Sequence, residues 1–259
     1  MTKVEIRKNE LLEILHSRKS LRIYEVSEIL NVSVPTARRL CASLADEGKL
    51  NRSHGSISSL DAETTRYSFD KLKKEHLEEK IRIAHHAASM IQSNETIFLE
   101  AGTTVQQLSI ALAERIQKKE LEDLVIFTNS LINLEILYPV YKKIILLGGE
   151  YREQRKDFVG YFSELSLKGL RFNCCFMGAD AISAQNGIMA MDLDTVRFDA
   201  ELIQHSERSI ILAHSDKFNR NSLISYVDLN DVSCIITDNR LDNSTLADCA
   251  NAGATIIKV

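Results

Sequence analysis

No run of apolar residues in the chain approaches the roughly 20 that a helix needs to cross a bilayer. The opening residues Lys3, Glu5, Arg7 and Lys8 interrupt any apolar stretch of the secretory kind. These absences predict a soluble chain that stays in the cytoplasm. The five cysteines, Cys41, Cys174, Cys175, Cys234 and Cys249, show no metal-binding or redox spacing and sit mostly inside apolar runs, so they read as reduced core residues. A glycine-rich phosphate loop of the nucleotide-hydrolase kind is missing, which leaves an ATP-driven mechanism without support. His85 and His86 are adjacent, and neighbours on a helix diverge by about 100°, so they do not easily share a metal. No metal and no cofactor is expected.

What remains is the composition of an ordinary soluble protein, 44% apolar and 26% charged, in 259 residues that allow a small domain joined to a larger one. The net charge of −4 is unevenly spread. Residues 1–60 hold ten Lys/Arg against seven Asp/Glu, and residues 81–259 hold seventeen against twenty-three, so a basic head precedes an acidic body. The contrast points to a polyanionic partner for the head.

In that head, Leu11, Ile14 and Leu15 recur at helical spacing and predict a first helix around residues 8–17, with a second, short helix around Tyr24, Val26, Ile29 and Leu30. Asn31-Val32-Ser33 supplies a turn, Ser33 an N-cap and Pro35 a residue suited to the first turn of a third helix running to about Glu47, which Gly48 stops. Val34, Ala37, Leu40, Cys41 and Leu44 form its packing stripe, while Thr36, Arg38, Arg39 and Ser43 lie away from it. Residues 49–57 then read as strand, tip at His54-Gly55 and returning strand, a wing. Helix, short turn and helix is the spacing that presents the second helix to the major groove. The candidate DNA-binding residues are Ser33, Thr36, Arg38, Arg39, Lys49, Arg52 and His54. The competing reading, a three-helix protein-interaction module, leaves the agreement of turn, cap, doubled arginine and basic wing unexplained.

Residues 1–58 thus form one domain, residues 59–76 a polar connector in which Tyr67 and Phe69 suggest a brief strand or docking contact, and residues 77–259 a second domain. There, seven β-rich runs alternate with helical patterns: residues 96–100, 124–127, 143–147, 173–177, 209–213, 232–237 and 255–259. They predict a mainly parallel α/β sheet. Ligands in such folds gather beyond the carboxyl ends of the strands. The groups expected there are Glu100, Gly102, Thr103 and Thr104 after the first run, Asn129 and Ser130 after the second, Gly148 and Gly149 after the third, Gly178 and Asp180 after the fourth, and Lys217 shortly after the fifth. Any one of them reads equally well as a turn or cap, and together they outline an anion and hydroxyl pocket.

The head resembles the helix-turn-helix of the DeoR family of regulators in Val32, Ser33, Thr36, Arg38, Arg39, Leu44, Gly48, Leu50, Arg52, His54 and Gly55. Leu40 stands where an acid usually follows the arginine pair, and Ser56 stands in place of a second wing glycine. The body resembles the family's sensor domain in Ile97–Leu99 with Ala101-Gly102-Thr103-Thr104, then Thr128-Asn129-Ser130, Leu147-Gly148-Gly149, Val159-Gly160, Gly178-Ala179, Lys217-Phe218 and Ile236-Thr237-Asp238. Here Glu100 replaces the usual Asp, and His214-Ser215-Asp216 replaces a segment that usually begins with an acid. The resemblance implies a fold similar to ribose-5-phosphate isomerase and the coenzyme A transferases. It implies a DNA-binding regulator, in the repressor sense, of sugar or related carbon metabolism, with a phosphorylated sugar or related metabolite as effector; the expected working form is a homo-oligomer, dimer or tetramer, on duplex DNA.

The fold relationship raises an alternative, an isomerase-like or transferase-like enzyme with a DNA-binding head. Gly178-Ala179-Asp180 echoes the isomerase's acidic motif, but Ala179 and Ala181 flank Asp180 where a proton-shuttling site needs a second positioned group, and the isomerase's Lys-Gly-Gly loop is absent. The expectation is therefore a sensor without turnover.

Overall fold

A computed structural model of the chain describes residues 3–18, 20–47, 49–53, 55–59 and 67–259, and it divides between Ser68 and Phe69 into two units, each with its own core. In the first, helix α1 (Lys3–Arg18) leads into strand β1 (Ser20–Arg22), helices α2 (Ile23–Ile29) and α3 (Val34–Asp46), and strands β2 (Leu50–Ser53) and β3 (Ser56–Ser59). The turn between α2 and α3 is tight because Asn31 takes φ of 46°, in the left-handed region that Asn tolerates. Ser33 then accepts from the Thr36 amide at 3.4 Å and Pro35 occupies the first turn. Leu11, Leu15, Val26, Ala37, Leu40, Cys41, Leu44 and Ile57 close the core.

Three features of this unit differ from the sequence reading, the first being Val34, expected on the packing stripe of α3 but exposed in its first turn. Helix α1 begins at Lys3 rather than Lys8, and β1 was not anticipated, being too short to show an alternation. β1 pairs with β3 through Leu21 and Ile57, both buried, and so fastens the β2–β3 wing to the core. Gly48, expected to stop α3, and His54, expected at the wing tip, lie outside the described residues.

The second unit opens with α4 (Phe69–Leu72) and α5 (Leu77–Ser89), then β4 (Thr96–Leu99), α6 (Thr103–Gln117), β5 (Val125–Thr128), α7 (Leu131–Leu137) and β6 (Ile144–Leu146). A hairpin of β7 (Glu150–Arg152) and β8 (Asp157–Val159) precedes α8 (Tyr161–Leu167) and β9 (Phe172–Met177). After these come β10 (Ala181–Ser183), β11 (Gly187–Ala190), α9 (Leu193–Gln204), β12 (Ser206–Leu212), β13 (Ile224–Val227), β14 (Cys234–Thr237), α10 (Asn243–Asn251) and β15 (Ile256–Lys258). Residues 69–76, read from sequence as connector, fold with this unit: Phe69 is buried, its amide donates to the Gln154 carbonyl at 2.9 Å, and it opens a helix instead of a strand.

The seven expected runs pair as one parallel sheet in the order β15-β14-β12-β9-β4-β5-β6. Side chains alternate between its faces. Ile97, Leu99, Cys174 and Phe176 pack with α5 and α6 on one side, while Phe98, Cys175 and Met177 pack with α8 and α9 on the other. All five cysteines are buried and free, as their apolar settings predicted. A separate antiparallel sheet of β10, β11 and β13 and the β7–β8 hairpin were not anticipated.

From β4 the chain proceeds to β5 and β6 in one direction, and from β9 to β12, β14 and β15 in the other. The reversal falls between β4 and β9, and a crevice opens beyond the carboxyl ends of strands at such a point. Among the described residues no helix is long and apolar enough to cross a membrane.

Candidate functional site

On the first unit, Arg38 and Arg39 are exposed on α3 and Arg52 is exposed on β2, while the helix buries Ala37, Leu40, Cys41 and Leu44 on its opposite side. These three guanidiniums are available to phosphates and base edges. Of the other candidates, His54 lies outside the described residues, and Ser33, Thr36 and Lys49 are already engaged. Ser33 Oγ serves the helix cap and shares a hydrogen bond with Thr36 Oγ1 at 2.8 Å. Lys49 Nζ is paired with Glu47 at 2.9 Å, and Ser43, placed by its spacing on the polar face, meets Lys8 of α1 at 2.7 Å.

On the second unit, the ends of β4 and β9 meet at one carboxylate. Glu100 Oε2 accepts from the Gly178 amide at 3.2 Å, and a Cβ at Gly102 would stand 3.5 Å from the same oxygen. Gly102 caps α6, whose first residues Thr103 and Thr104 are buried. Asp180 accepts from Arg155 Nη2 at 3.0 Å and from the Met191 amide at 3.0 Å. Lys217, on a short turn after β12, is close enough to Asp180 for that carboxylate to oppose the burial that lowers the lysine's pKa.

Several sequence-selected residues serve the scaffold instead. Asn129 Oδ1 accepts from the Ala101 amide and its Nδ2 donates to the Phe158 carbonyl, both at 3.1 Å. Ser130 Oγ caps α7. Ser163 Oγ donates to the Gly148 carbonyl at 2.8 Å, and a Cβ on Gly149 would lie 2.0 Å from that hydroxyl, so this glycine is needed for close packing. These groups hold the strand ends at fixed spacing.

Five residues that the sequence reading missed complete the site. Arg152 binds Asp157 at 2.5 Å and Asp192 at 2.7 Å, and Arg155 also reaches Asp192 at 3.2 Å. Asp199, from α9, is buried and accepts from Tyr226 Oη at 3.4 Å. Burial and the neighbouring Asp199 carboxylate hold the Glu100 pKa well above the ordinary carboxylate range, and burial pushes Asp199 up to about 8. One signal for Asp199 was present: Thr195, Phe198, Asp199 and Leu202 share the buried face of α9, so an acid stands on an apolar stripe.

Lys217's turn is fixed on both sides. Ser215 donates to Asp238 through its amide at 2.7 Å and its hydroxyl at 3.0 Å. His76, the left-handed residue that caps α5, places Nε2 3.1 Å from Asp216 and stacks on His214 with ring centroids 4.2 Å apart. Donor atoms of His76, His214 and Asp216 lie within 4.8 Å of one another, the spacing of a possible metal group. Arg240 stands 3.2 Å from His76 Nδ1, and a guanidinium can only donate, so Nδ1 accepts and Nε2 presents its hydrogen to Asp216. The cluster ties the turn to α5 through the His76–Asp216 bond and the stacking of His76 on His214.

The two halves match known families separately. The DeoR-like helix-turn-helix domain matches residues 7–63 and the DeoR C terminal sensor domain residues 75–239. A lactose phosphotransferase system repressor of Lactococcus lactis is 32% identical over 97% of each chain. That of Staphylococcus epidermidis is 32% identical over 90% of this chain and 91% of its own, and a putative aga operon transcriptional repressor of Escherichia coli is 27% identical over 98% and 93%. Among solved structures, ribose 5-phosphate isomerase from Plasmodium falciparum matches with a TM-score of 0.42 and 19% identity, over 56% of this chain and 54% of its own. With both domain families matched in order and identity sustained along nearly its whole length, the chain belongs to the DeoR family of DNA-binding transcriptional regulators.

Proposed function

We propose that this regulator is a repressor of sugar-metabolism genes whose operator affinity is set by a phosphorylated sugar bound beyond β4 and β9. The observation that carries the reading is the place of Glu100, Gly102, Gly178, Asp180 and Lys217 at the reversal of strand order, in a chain that also carries an exposed-arginine recognition helix. The sugar-related repressors among the relatives agree with it. Lys217 supplies cationic charge, Asp180 accepts from hydroxyls, and the amide end of α6 offers further donors. The working form is a homo-oligomer in the cytoplasm, which presents more than one head to an operator.

The turn that holds Lys217 also holds His214 and Asp216, which grip His76 at the start of α5. Ligand contact with Lys217 therefore acts on the tie that fixes the segment arriving from the first unit. The test is fluorescence anisotropy of the full-length protein on DNA from its own upstream region, titrated with hexose and pentose phosphates. At least one should weaken operator binding, and Lys217→Ala should remove the response. An operator affinity unchanged by the whole panel would overturn the sensor reading.

A further inference from the structure

Around the proposed ligand site stand five carboxylates, Glu100, Asp157, Asp180, Asp192 and Asp199, with Arg152 and Arg155 among them and Lys217 and Arg220 together on one side. The ion pairs are unevenly shared. Arg152 takes Asp157 and Asp192, and Arg155 takes Asp180 and Asp192. Neither Glu100 nor Asp199 joins an ion pair found among the described residues. Glu100 Oε2 has the Gly178 amide and Asp199 Oδ2 has the Tyr226 hydroxyl at 3.4 Å, and the two side chains stand in residues only 6% and 4% exposed.

Charge bookkeeping then restricts the ligand. The phosphate of a neutral sugar brings close to two negative charges into a buried site where Glu100 and Asp199 feel the charge of Arg155 but have no ion pair of their own among the described residues, an arrangement that low-dielectric surroundings penalise. Protons relieve the strain without ligand, since burial favours the neutral form of both acids, joined by the Asp199 carboxylate at Glu100 and by Asp180 and Asp157 at Asp199 and opposed at both by Arg155. A ligand that carries its own cation relieves it better, because it brings charge and hydrogen-bond donors to both oxygens together.

Resting on the sensor reading above, we propose that the effector carries a protonated amine beside its phosphate, as a phosphorylated amino sugar does: the ammonium is received by Glu100 and Asp199, and the phosphate lies on the side of Lys217. Exchange of a hydroxyl for an ammonium at one carbon is therefore the feature this site reads. An acetylated amine, which keeps the nitrogen and loses the charge, behaves as a neutral sugar.

Calorimetry on the full-length protein at neutral pH tests this with matched pairs: glucosamine 6-phosphate against glucose 6-phosphate, galactosamine 6-phosphate against galactose 6-phosphate, and N-acetylglucosamine 6-phosphate as the uncharged control. At least one amino sugar should bind about tenfold or more tightly than its hydroxyl and acetyl counterparts. It should also release protons, read as a binding enthalpy that changes with the buffer's ionisation enthalpy. Asp199→Asn should cancel the preference, and Glu100→Gln serves the same purpose should the first variant fail to fold. Neutral sugar phosphates that bind as well as or better than their amino counterparts overturn the amine assignment and leave the sensor reading intact. Failure of every sugar phosphate to bind overturns both.

Discussion

Asp199 shows how one buried acid shapes the behaviour of the whole sensor unit. Its folded pKa is raised from the ordinary carboxylate range to about 8, chiefly by burial, so the folded state holds a proton that the unfolded chain has lost. Stability from this group is fully present below the ordinary carboxylate range and is lost as pH rises toward 8, at up to about 1.4 kcal/mol per pH unit for one proton. The thermal midpoint of the sensor unit should therefore fall from pH 5 to pH 8 without ligand, and Asp199→Asn should flatten that fall. A midpoint with the same slope in both proteins would show that Asp199 is not the group responsible. Residues differ sharply in how far sequence discloses them. Glu100, Gly178 and Lys217 announce themselves by following β-rich runs. Asp199 and Arg155 do not, because their burial depends on α9 and the β7–β8 hairpin meeting in space. Asn129 and Ser130 carry the right chemistry at the right strand end, yet their polar atoms serve the backbone, a distinction only geometry makes.

At the scale of elements, the turn Ser215–Lys217 joins two tasks. One end of it offers Lys217 to the proposed ligand site, and the other holds His76 through Asp216 and the stacked His214. The segment it grips is firm: buried Lys80 donates to the carbonyls of Leu72 at 2.6 Å and Glu75 at 2.8 Å, closing the chain between α4 and α5. Burial, with help from His76, pushes the His214 imidazole down to about 3, so it stacks as a neutral ring at physiological pH. His76→Ala and Asp216→Asn should leave effector affinity within about twofold, since neither side chain is among the ligand groups, and should shrink the effector's influence on operator affinity. Calorimetry reads the first quantity and anisotropy the second. A variant with undiminished coupling would remove the tie from the mechanism. The seven parallel strands were legible because each lies in an apolar β-rich run of four or more residues bounded by turn residues, even where, as in β6 and β15, only three residues pair and they are not fully buried. The three-residue strands β1, β7, β8 and β10 were not, since so short a segment carries too little alternation to separate from loop.

For the whole molecule, the proposed control is a linkage between two sites, and linkage fixes a relation that no local contact can alter. If effector weakens operator binding by some factor, operator must weaken effector binding by the same factor, typically about 5- to 150-fold. Salt separates this coupling from the head's own affinity. Under the proposed contacts of Arg38, Arg39 and Arg52, binding releases counterions from DNA, so operator affinity should fall steeply with rising salt, and Arg38→Ala or Arg39→Ala should weaken binding and, where the lost contact is to phosphate, reduce the slope. The uneven charge along the sequence points to the same expectation, with a basic head ahead of an acidic body. Measured at one salt concentration, the two reciprocal factors should agree within error. Unequal factors would mean that effector and operator do not act on one shared equilibrium, as when the ligand changes the number of chains assembled on the DNA; titrations repeated at several protein concentrations would then expose that dependence.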